Sequence, residues 1–271
     1  MKNWFFLFAI CLCSLTFASP IQDRQIDPTA LAQLASALNI GEDADLIVEI
    51  QKQWLRKPDQ ERWEILELSS DQRLFVLNWA TQQGMYVPWK PFYRTYDKAL
   101  ILGATTYRMQ LRLDYLKQLW KEGIRFSEVV WLTGDRPLDK RADGLTDRCS
   151  NESEAAHILW KESNLPEEMR TLPVVFIAVP MKMEGPTLKR PNTKDTITAW
   201  LESAPEPCTA LFISDQPFCG YQFAVIKASL PSTFLFDLVG PGADPISHPA
   251  SAAITLDSIA RWTYQESLIK K

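Results

Sequence analysis

The feature that most constrains the fold is a regular alternation, from Lys98 onwards, of short β-rich runs with segments of helical periodicity. The five runs are ALILG (99–103), VVWLT (129–133), VVFIAV (174–179), ALFIS (210–214) and FLFDLV (234–239). The helical patterns lie around 106–122, 152–163, 193–203 and 217–229, with a last one near 252–268. Such alternation is typical of βαβ units with right-handed crossovers, and continuously apolar runs are typical of strands covered on both faces. The sequence therefore predicts an α/β domain over 98–271 with a mainly parallel five-stranded sheet.

The segment before this alternation, residues 27–90, predicts an α-helical block. Asp27 and Pro28 form an N-cap followed by proline at the first helical position, and Ser69 with Gln72 resembles a capping box. A second helix is expected to start at Asp43 or its neighbours and to stop at Pro58. The Leu, Ile and Trp stripes of these helices predict a core; they are Leu31, Leu34, Ala35, Leu38, Leu46, Ile47, Ile50, Trp54, Leu74, Leu77 and Trp79. We interpret the block as a helical cap or a packing arm.

The amino terminus has the pattern of a secretory signal peptide. Lys2 supplies a positive charge, residues 4–12 form an apolar run, and small residues precede a cleavage site after Ala18. The apolar run is shorter than the roughly 20 residues that a membrane span needs, and no later segment is long and apolar enough to cross a bilayer. Cleavage over 1–18 predicts a mature chain that is periplasmic or secreted, with no transmembrane span.

Composition excludes several classes of function. A hydrophobic content of 46% is enough for a full core, and a net charge of −4 provides no basic field for nucleic acid. With two histidines in the chain and no CxxC motif, a zinc site is not expected, and we assign no metal ligand.

Three cysteines follow the predicted cleavage site. Cys208 and Cys219 flank the fourth run, whose ends are roughly 20 Å apart as a strand, which is too far for a disulfide. A bridge from Cys149 to Cys219 is the pairing that remains, and free thiols are the alternative.

Candidate site residues follow from one rule, that open parallel sheets bind ligands beyond the carboxyl ends of their strands. After the first strand, Gly103 permits close approach of a ligand, Thr105 and Thr106 suit a helix start, and Arg108 can bind an anion there. The segment is not GxGxxG and no acidic residue for a ribose ends the second strand, so a dinucleotide site is disfavoured.

The second strand ends in Thr133, Gly134, Asp135 and Arg136, which open a charged loop over 135–150. A loop of this length is either functional or a solvated flap, and both interpretations stay open. Its aspartates are four residues apart, whereas an EF-hand uses alternate positions, so a calcium loop is not expected.

Further candidates open the next helices. Glu154 is a carboxylate in a first helical turn beside the expected pocket, and Asp215 follows the fourth strand, where it suits a general base. The cations and polar groups at the other helix starts are Lys182, Arg190, Asn192, Thr193 and Tyr221. They suit a clamp for phosphate or carboxylate, or else a solvated turn.

Taken in chain order, these segments resemble the SanA/YdcF-like envelope protein family, which also includes ElyC. The matching pieces are Leu102-Gly103, Arg108 or Arg112, Thr133-Gly134, Ser153-Glu154-Ala155 and Thr193-Lys194-Asp195. The resemblance covers about residues 98–230 and implies a Rossmann-like three-layer domain, an envelope role and a polar ligand pocket. It supplies no reaction.

Two departures from the family pattern bear on activity. The segment from Thr193 to Thr196 lacks the family's Asn, and Asp215-Gln216 stands where the family's loop carries His. If that His is catalytic in relatives, the resemblance implies an altered or lost activity here.

The leading functional hypothesis is an exported envelope protein that binds a small anionic, phosphate-bearing ligand. Arg108, Arg190 and Lys182 would hold the anion, and catalysis, if present, would be hydrolysis or transfer using Asp135, Glu154 and Asp215. The alternative is a non-catalytic binding or assembly factor that docks a protein partner through residues 27–85. Whether the chain is an enzyme stays open at this point, and no cofactor is assigned.

Overall fold

The computed structural model describes residues 25–41, 45–57 and 66–269. The strands are β1 (Thr95–Leu102), β2 (Arg125–Gly134), β3 (Val174–Val179), β4 (Lys182–Glu184), β5 (Thr187–Lys189), β6 (Thr209–Ile213) and β7 (Leu235–Val239). The helices are α1 (Pro28–Ala37), α2 (Leu46–Trp54), α3 (Ser70–Gln82), α4 (Thr106–Lys121), α5 (Glu152–Glu162), α6 (Glu167–Arg170), α7 (Thr193–Glu202), α8 (Cys219–Ser229) and α9 (Ser251–Ile269). The predicted signal peptide over 1–18 lies outside the described residues.

Five strands form one parallel sheet in the order β3-β2-β1-β6-β7. The chain runs outward from β1 to β3 on one side and then returns to place β6 against the other side of β1. This reversal of strand order lies between β1 and β6, where an open α/β sheet forms a crevice at its carboxyl edge. The prediction of a Rossmann-like, three-layer α/β fold with a parallel five-stranded sheet is confirmed.

The two faces of the sheet are covered by different helices because successive side chains of a strand point to opposite faces. In β2, Val129 and Trp131 pack with α4 and α5, whereas Val130 and Leu132 pack with α7 and α8. All four side chains are buried, which explains the continuous apolar run in the sequence.

The edge strands depart from this pattern. In β3, Val174, Phe176 and Ile177 are only half-buried and Val175 and Ala178 are exposed, because no described strand covers its outer side. An antiparallel hairpin of β4 and β5, which the sequence did not indicate, follows β3 and leads to the start of α7.

A second layer of helices lies outside α8. The apolar faces of α2 and α3 pack against α9, and α1 packs on α2 and α3, with Leu34, Ile50, Leu256 and Ile259 completely buried in one shared cluster. The expected caps form at Asp27 and at Ser69, whose capping box with Gln72 is complete.

Two details of the helical block differ from expectation. The cap of α2 is Asp45, a neighbour of Asp43, and both Asp43 and Pro58 lie outside the described residues. Leu74 is 59% exposed rather than part of the core, because α3 turns Val76 and Trp79 inward instead. In the described ranges, no helix is long and apolar enough to cross a membrane.

No disulfide joins any two of the described cysteines, Cys149, Cys208 and Cys219. Cys149 packs on the α4 and α5 face of the sheet, where its thiol donates a weak hydrogen bond to the carbonyl oxygen of Leu145 at 3.4 Å. Cys219 is buried on the opposite face, among the side chains of α7 and α8. The pairing of Cys149 with Cys219 that the sequence left open is therefore wrong, because the sheet separates the two residues.

Candidate functional site

A cavity of about 310 Å³ lies at the carboxyl edge of the sheet, at the reversal of strand order. Its floor is the ends of β1 and β2, and its walls are the first turns of α4, α7 and α8, the loop after β2, and α9. Six arginines and four carboxylates of the described residues line it: Arg56, Arg108, Arg112, Arg136, Arg190 and Arg261, with Asp139, Asp143, Glu152 and Asp257.

The first group of charges, which we name the switch-point cluster, consists of Arg108, Arg112 and Asp215. The two arginines are one turn apart on α4 and therefore lie on one face of that helix. Both bind the carboxylate of Asp215, which follows β6 and is buried. Arg112 donates from Nε to Oδ1 at 2.8 Å, and Arg108 donates from Nη1 to Oδ2.

The two arginines of the switch-point cluster differ in how many donors the protein uses. Arg112 is 2% exposed, and its Nη1 also donates to the carbonyl oxygens of Leu102 and Gly103 at 2.6 and 2.9 Å. Arg108 lies over the ring of Phe218, with 4.2 Å from its guanidinium carbon to the ring centroid. Within the described part of the chain, Nε and Nη2 of Arg108 have no hydrogen-bond partner. Arg108 therefore has donors to offer a ligand.

The second group, which we name the flap cluster, consists of Arg136, Asp143 and Glu152. Arg136 donates from Nε to Glu152 at 2.6 Å and from both terminal nitrogens to Asp143 at 2.8 and 3.1 Å. Asp143 also accepts the backbone N–H of Thr106 at 3.0 Å. The charged loop over 135–150 is thereby tied to the start of α4.

The two carboxyl groups of the flap cluster have opposite pKa shifts. Burial raises the pKa of Glu152 above its ordinary range, and the attraction of Arg136 only partly offsets that rise. Burial also acts to raise the pKa of Asp143, but hydrogen bonds from Arg136 and from the Asp139 N–H hold it below its ordinary value. Two carboxyl groups beside one arginine thus differ in proton affinity because Asp143 receives more hydrogen bonds.

Glycine at the ends of β1 and β2 lets the backbone approach these groups. A Cβ atom on Gly103 would overlap Oε1 of Glu152 and lie 2.7 Å from the carbonyl oxygen of Leu132. A Cβ atom on Gly134 would overlap the ring of Pro191. Glycine is required at both positions by space, and the N–H of Gly134 donates to Glu152 at 3.2 Å.

The wall opposite the flap is formed by the α9 cluster, which consists of Asp257, Arg261, Tyr221 and Arg56. Arg261 donates to both oxygens of Asp257 at 2.8 and 3.0 Å. The backbone N–H of Arg56, just beyond α2, donates to the same carboxylate at 3.0 Å. Burial raises the pKa of Tyr221, and the neighbouring positive charge of Arg261 acts in the opposite direction. Through Arg56, the helical block forms part of the cavity wall.

Most of the binding residues predicted from strand ends lie in the cavity wall. Gly103, Thr105, Arg108, Gly134, Arg136, Arg190, Asn192, Thr193 and Tyr221 line it. Asn192 also caps α7 through a capping box with Asp195. Asp215 lies beneath the wall, bound to the two α4 arginines.

Two of the predicted threonines form hydrogen bonds with the backbone instead of lining the cavity. Thr106 is buried and its hydroxyl accepts the N–H of Gly144 at 2.8 Å, and buried Thr133 donates to the carbonyl oxygen of Ile177 at 3.0 Å. Neither side chain lines the cavity.

Three predicted residues lie away from the cavity. Glu154 is exposed and accepts the backbone N–H of Ser150 at 2.7 Å, because its position in the first turn of α5 points it back along the loop. The side chain of Lys182 is 65% exposed in the hairpin, 3.7 Å from Asp195. Asp135 is anchored through its backbone N–H to Val179 at 2.8 Å, and its side chain is not in the wall. The expectation that these residues share one cleft with Arg108 is corrected accordingly.

Sequence reasoning missed several residues of the wall. Glu152, two positions before Glu154, is the buried carboxylate, and spacing alone does not distinguish two acids in one first turn. Arg112 was named only as the alternative to Arg108 in the family pattern, and its signal is that it follows Arg108 by four residues on a predicted helix. Asp257, Arg261 and Arg56 carry none, since they reach the cavity only through the packing of α9.

Across the described ranges, no group of three or more His, Cys, Asp or Glu side chains is arranged to hold a metal ion. Comparison of the chain with protein-family models, with curated proteins and with solved structures found no match.

Proposed function

We propose that this chain binds a small phosphate-bearing anion in the cavity at the carboxyl edge of its sheet. The observation that carries the proposal is Arg108, whose guanidinium is held in place by Asp215 and Phe218 while two of its nitrogens have no partner in the described chain. A planar guanidinium presents its donors in the geometry that phosphate and carboxylate oxygens accept.

The charge of the cavity supports an anion as its occupant. Six arginines line the cavity, against four lining carboxylates and the carboxylate of Asp215 beneath the wall, so the arginines outnumber the carboxylates by one although the chain as a whole carries a net charge of −4. The start of α4 adds to this field because the amino end of a helix attracts negative charge; the N–H of Thr106 there already donates to Asp143, and Thr105 makes no side-chain capping bond. Positive charge is therefore concentrated where an anion would enter.

The volume of the cavity supports a small ligand. At about 310 Å³ it lies at the lower end of the roughly 300–1,000 Å³ that is usual for small-molecule pockets. A small metabolite that carries phosphate fits a cavity of about 310 Å³, whereas a dinucleotide is too large for it.

The buried carboxyl group of Glu152 is the candidate acid–base group if the bound anion is also transformed. Its pKa is raised by burial, so it keeps its proton to a higher pH than an ordinary glutamic acid, and it lies in the cavity wall. We propose hydrolysis or transfer as the reaction class, with Glu152 in the role that the sequence gave to Glu154.

The proposal includes the setting of the protein. The predicted signal peptide supports export to the periplasm or the medium, and the resemblance to SanA/YdcF-like proteins supports a role in the cell envelope. The second candidate function is docking of a protein partner by the helical block, and it is favoured by the exposure of Val48, Leu74 and Phe75 on α2 and α3.

Isothermal titration with inorganic phosphate and with glucose 6-phosphate tests the binding. The wild-type chain is expected to bind at least one of them, and Arg108→Gln is expected to weaken that binding by about tenfold or more, since a hydrogen bond to a charged group contributes about 1.5–3 kcal/mol. Asp215 keeps Arg112 as its partner in this variant, so the fold is retained.

Lys121→Gln is the matched control, because it removes one positive charge from the exposed end of the same helix. It is expected to leave the affinity unchanged. If neither probe binds the wild type, or if both variants weaken binding equally, the proposed function is wrong.

A further inference from the structure

The two edge strands of the sheet differ in what protects them. In β7, Asp237 places a charge on the strand and accepts the backbone N–H of Phe92 at 2.8 Å, and Gly240, just beyond the strand, pairs with Trp89 through two backbone hydrogen bonds. The sequence of β3, VVFIAV, contains no charge, glycine or proline, which are the residues that usually keep an edge strand from pairing with another chain. The edge at β3 is therefore the unprotected one.

The register of β3 shows which of its backbone groups are free. The carbonyl oxygen of Val179 accepts the N–H of Asp135 at 2.8 Å, so Val179 directs its backbone groups towards β2. The hydrogen-bonding direction alternates along a strand, so Val174, Phe176 and Ala178 direct their N–H and C=O groups away from β2. These six groups have no hydrogen-bond partner in the part of the chain that the structure describes.

Apolar side chains are also open to solvent on both faces of β3. Val175, on the face that α7 covers, is 39% exposed. On the face that α5 covers, Ala178 is exposed and the half-buried ring of Phe176 stacks on His157. A further strand beside β3 would shield both faces at once, whereas a helix could cover only one of them.

A second copy of β3 complements these groups when it runs antiparallel. In such a pair, every second residue exchanges two hydrogen bonds with the residue opposite. With Phe176 opposite Phe176 of the partner subunit, Val174 of each copy lies opposite Ala178 of the other. All the outward N–H and C=O groups of both strands are then paired, which a twofold axis through this point produces.

The charges at the two ends of β3 suit the same arrangement. Glu167 and Glu168 of α6, which precedes the strand, are exposed and have no ion-pair partner among the described residues. After the strand, Lys182 of the hairpin lies 3.7 Å from Asp195, yet its side chain is 65% exposed and has three donors to share. An antiparallel pair sets α6 of each copy at the same end as the hairpin of the other, so opposite charges meet.

We propose that this chain forms a homodimer in which two β3 strands pair antiparallel and the two five-stranded sheets become one sheet of ten strands. Because the paired strands run in opposite directions, the carboxyl edges of the two sheets, and with them the two cavities, face opposite ways. Anion binding in either cavity therefore does not depend on the dimer.

Sedimentation equilibrium over a range of concentrations tests the dimer. The wild-type chain is expected to reach twice its sequence mass as the concentration rises. Ala178→Pro removes an outward N–H that β2 does not use, so the fold is expected to remain while the dissociation constant rises about tenfold or more. Ala178→Ser is the matched control, since it keeps the N–H and a small side chain, and is expected to dimerise like the wild type.

A second pair of variants tests the edge through side chains. Val175→Lys and Leu235→Lys each add a charge to an edge strand, at side chains that are 39% and 42% exposed. Only Val175→Lys is expected to raise the dissociation constant, because Leu235 lies on β7, the opposite edge of the sheet. Thermal unfolding of each variant checks that the fold is retained.

Hydrogen exchange of the wild type provides a measurement that needs no variant. The N–H groups of Val174, Phe176 and Ala178 are expected to exchange more slowly as the protein concentration rises, because they become bonded in the dimer. A wild-type chain that stays monomeric at every concentration, or exchange at these groups that does not depend on concentration, overturns the homodimer. A dimer that Ala178→Pro and Val175→Lys leave as tight as the wild type uses another surface, and it overturns the pairing of β3.

Discussion

The switch-point cluster and the flap cluster lie in one cavity wall, yet they use arginine in opposite ways. In the switch-point cluster two arginines share Asp215, and one of them, Arg108, keeps nitrogens without a partner among the described residues. In the flap cluster one arginine, Arg136, holds Asp143 and Glu152 together with a backbone carbonyl oxygen. The first cluster therefore keeps N–H donors that an anion can accept, whereas the second uses its donors for hydrogen bonds within the protein.

The difference shows that counting charges does not separate binding from structural roles. Arg136 and Arg108 both line the cavity, and both are largely buried. What differs is the number of donors already used, because a guanidinium with five N–H groups offers a ligand only those that the protein leaves. The two clusters therefore predict that Arg136 matters for stability and Arg108 for ligand affinity.

The largest expected effect is the loss of stability in Arg136→Met. The substitution leaves two buried carboxyl groups without their cation, and breaking a buried pair in this way costs about 3–5 kcal/mol. For a chain of this size that loss lowers the melting temperature by roughly 6 °C or more, measured by calorimetry.

Arg108→Met is the matched comparison, since Asp215 retains Arg112 in that variant. It is expected to lose about 1 kcal/mol or less. Equal losses in the two variants would contradict the division of roles between the clusters.

A smaller loss is expected from Gly103→Ala, where the two clusters meet. The added methyl group would overlap Glu152 and the backbone of Leu132, and such overpacking costs about 1–3 kcal/mol. Gly41→Ala is the control, because a Cβ atom there has no atom of the described residues within 4 Å. Urea unfolding measures both, and a Gly103→Ala variant as stable as Gly41→Ala would show that the approach of Glu152 to β1 is not as close as described.

The sheet was predictable because its determinants are local in the sequence. The apolar runs of β1, β2 and β6 are continuous, and the segments between them have helical periodicity. These two patterns were enough to predict the strands and their parallel arrangement from the rules for βαβ units. The same locality gave the residues at strand ends, such as Gly103 and Arg108. Leu74 was assigned wrongly to the core because the inward face of α3 is decided by its contact with α9.

The far wall of the cavity was not predictable for a different reason. Apart from the residues of α8, the cavity residues that Asp257 and Arg261 face lie more than 40 residues away from them in the sequence. No local pattern indicates that α9 returns to the cavity, since that placement follows from the burial of an apolar cluster shared with α1, α2 and α3. Such long-range packing is specified by the whole chain rather than by a motif.

The pH dependence of stability sharpens the description of the flap cluster. The pKa of Glu152 is raised on folding by burial, so the folded state binds its proton more tightly than the unfolded state. The wild type is therefore expected to gain stability relative to Glu152→Gln as the pH falls through the raised pKa towards the ordinary value of 4.5. Urea unfolding of both proteins between neutral and acidic pH measures the difference.

Asp143→Asn is expected to give the opposite sign. Hydrogen bonds outweigh burial and lower the pKa of Asp143, so the stability it contributes is present above its ordinary value of 3.8 and is lost as the pH falls through the depressed pKa. The wild type should then lose stability relative to Asp143→Asn below that value. The same sign for both variants would show that the two carboxyl groups share one environment.

The smallest effect is expected from removing the thiol in the flap itself. Cys149 lies in the charged loop that the flap cluster holds against the start of α4. Its sulfur makes only a weak hydrogen bond to the carbonyl oxygen of Leu145. Cys149→Ser is therefore expected to change stability by about 0.5 kcal/mol or less, the usual range for a substitution away from tightly packed features. Calorimetry with and without reductant is expected to give the same melting temperature for the wild type.

The absence of a reductant effect follows from the position of the two thiols. A disulfide requires Cα atoms within about 7 Å, and Cys149 and Cys219 pack on opposite faces of the sheet. Peptide mapping without reduction should find both cysteines alkylated after unfolding in the presence of the alkylating reagent. A linked peptide, or a melting temperature that falls in reductant, would mean that the flap is fastened by a covalent bond. The ion pairs of Arg136 would then not be what holds it to α4.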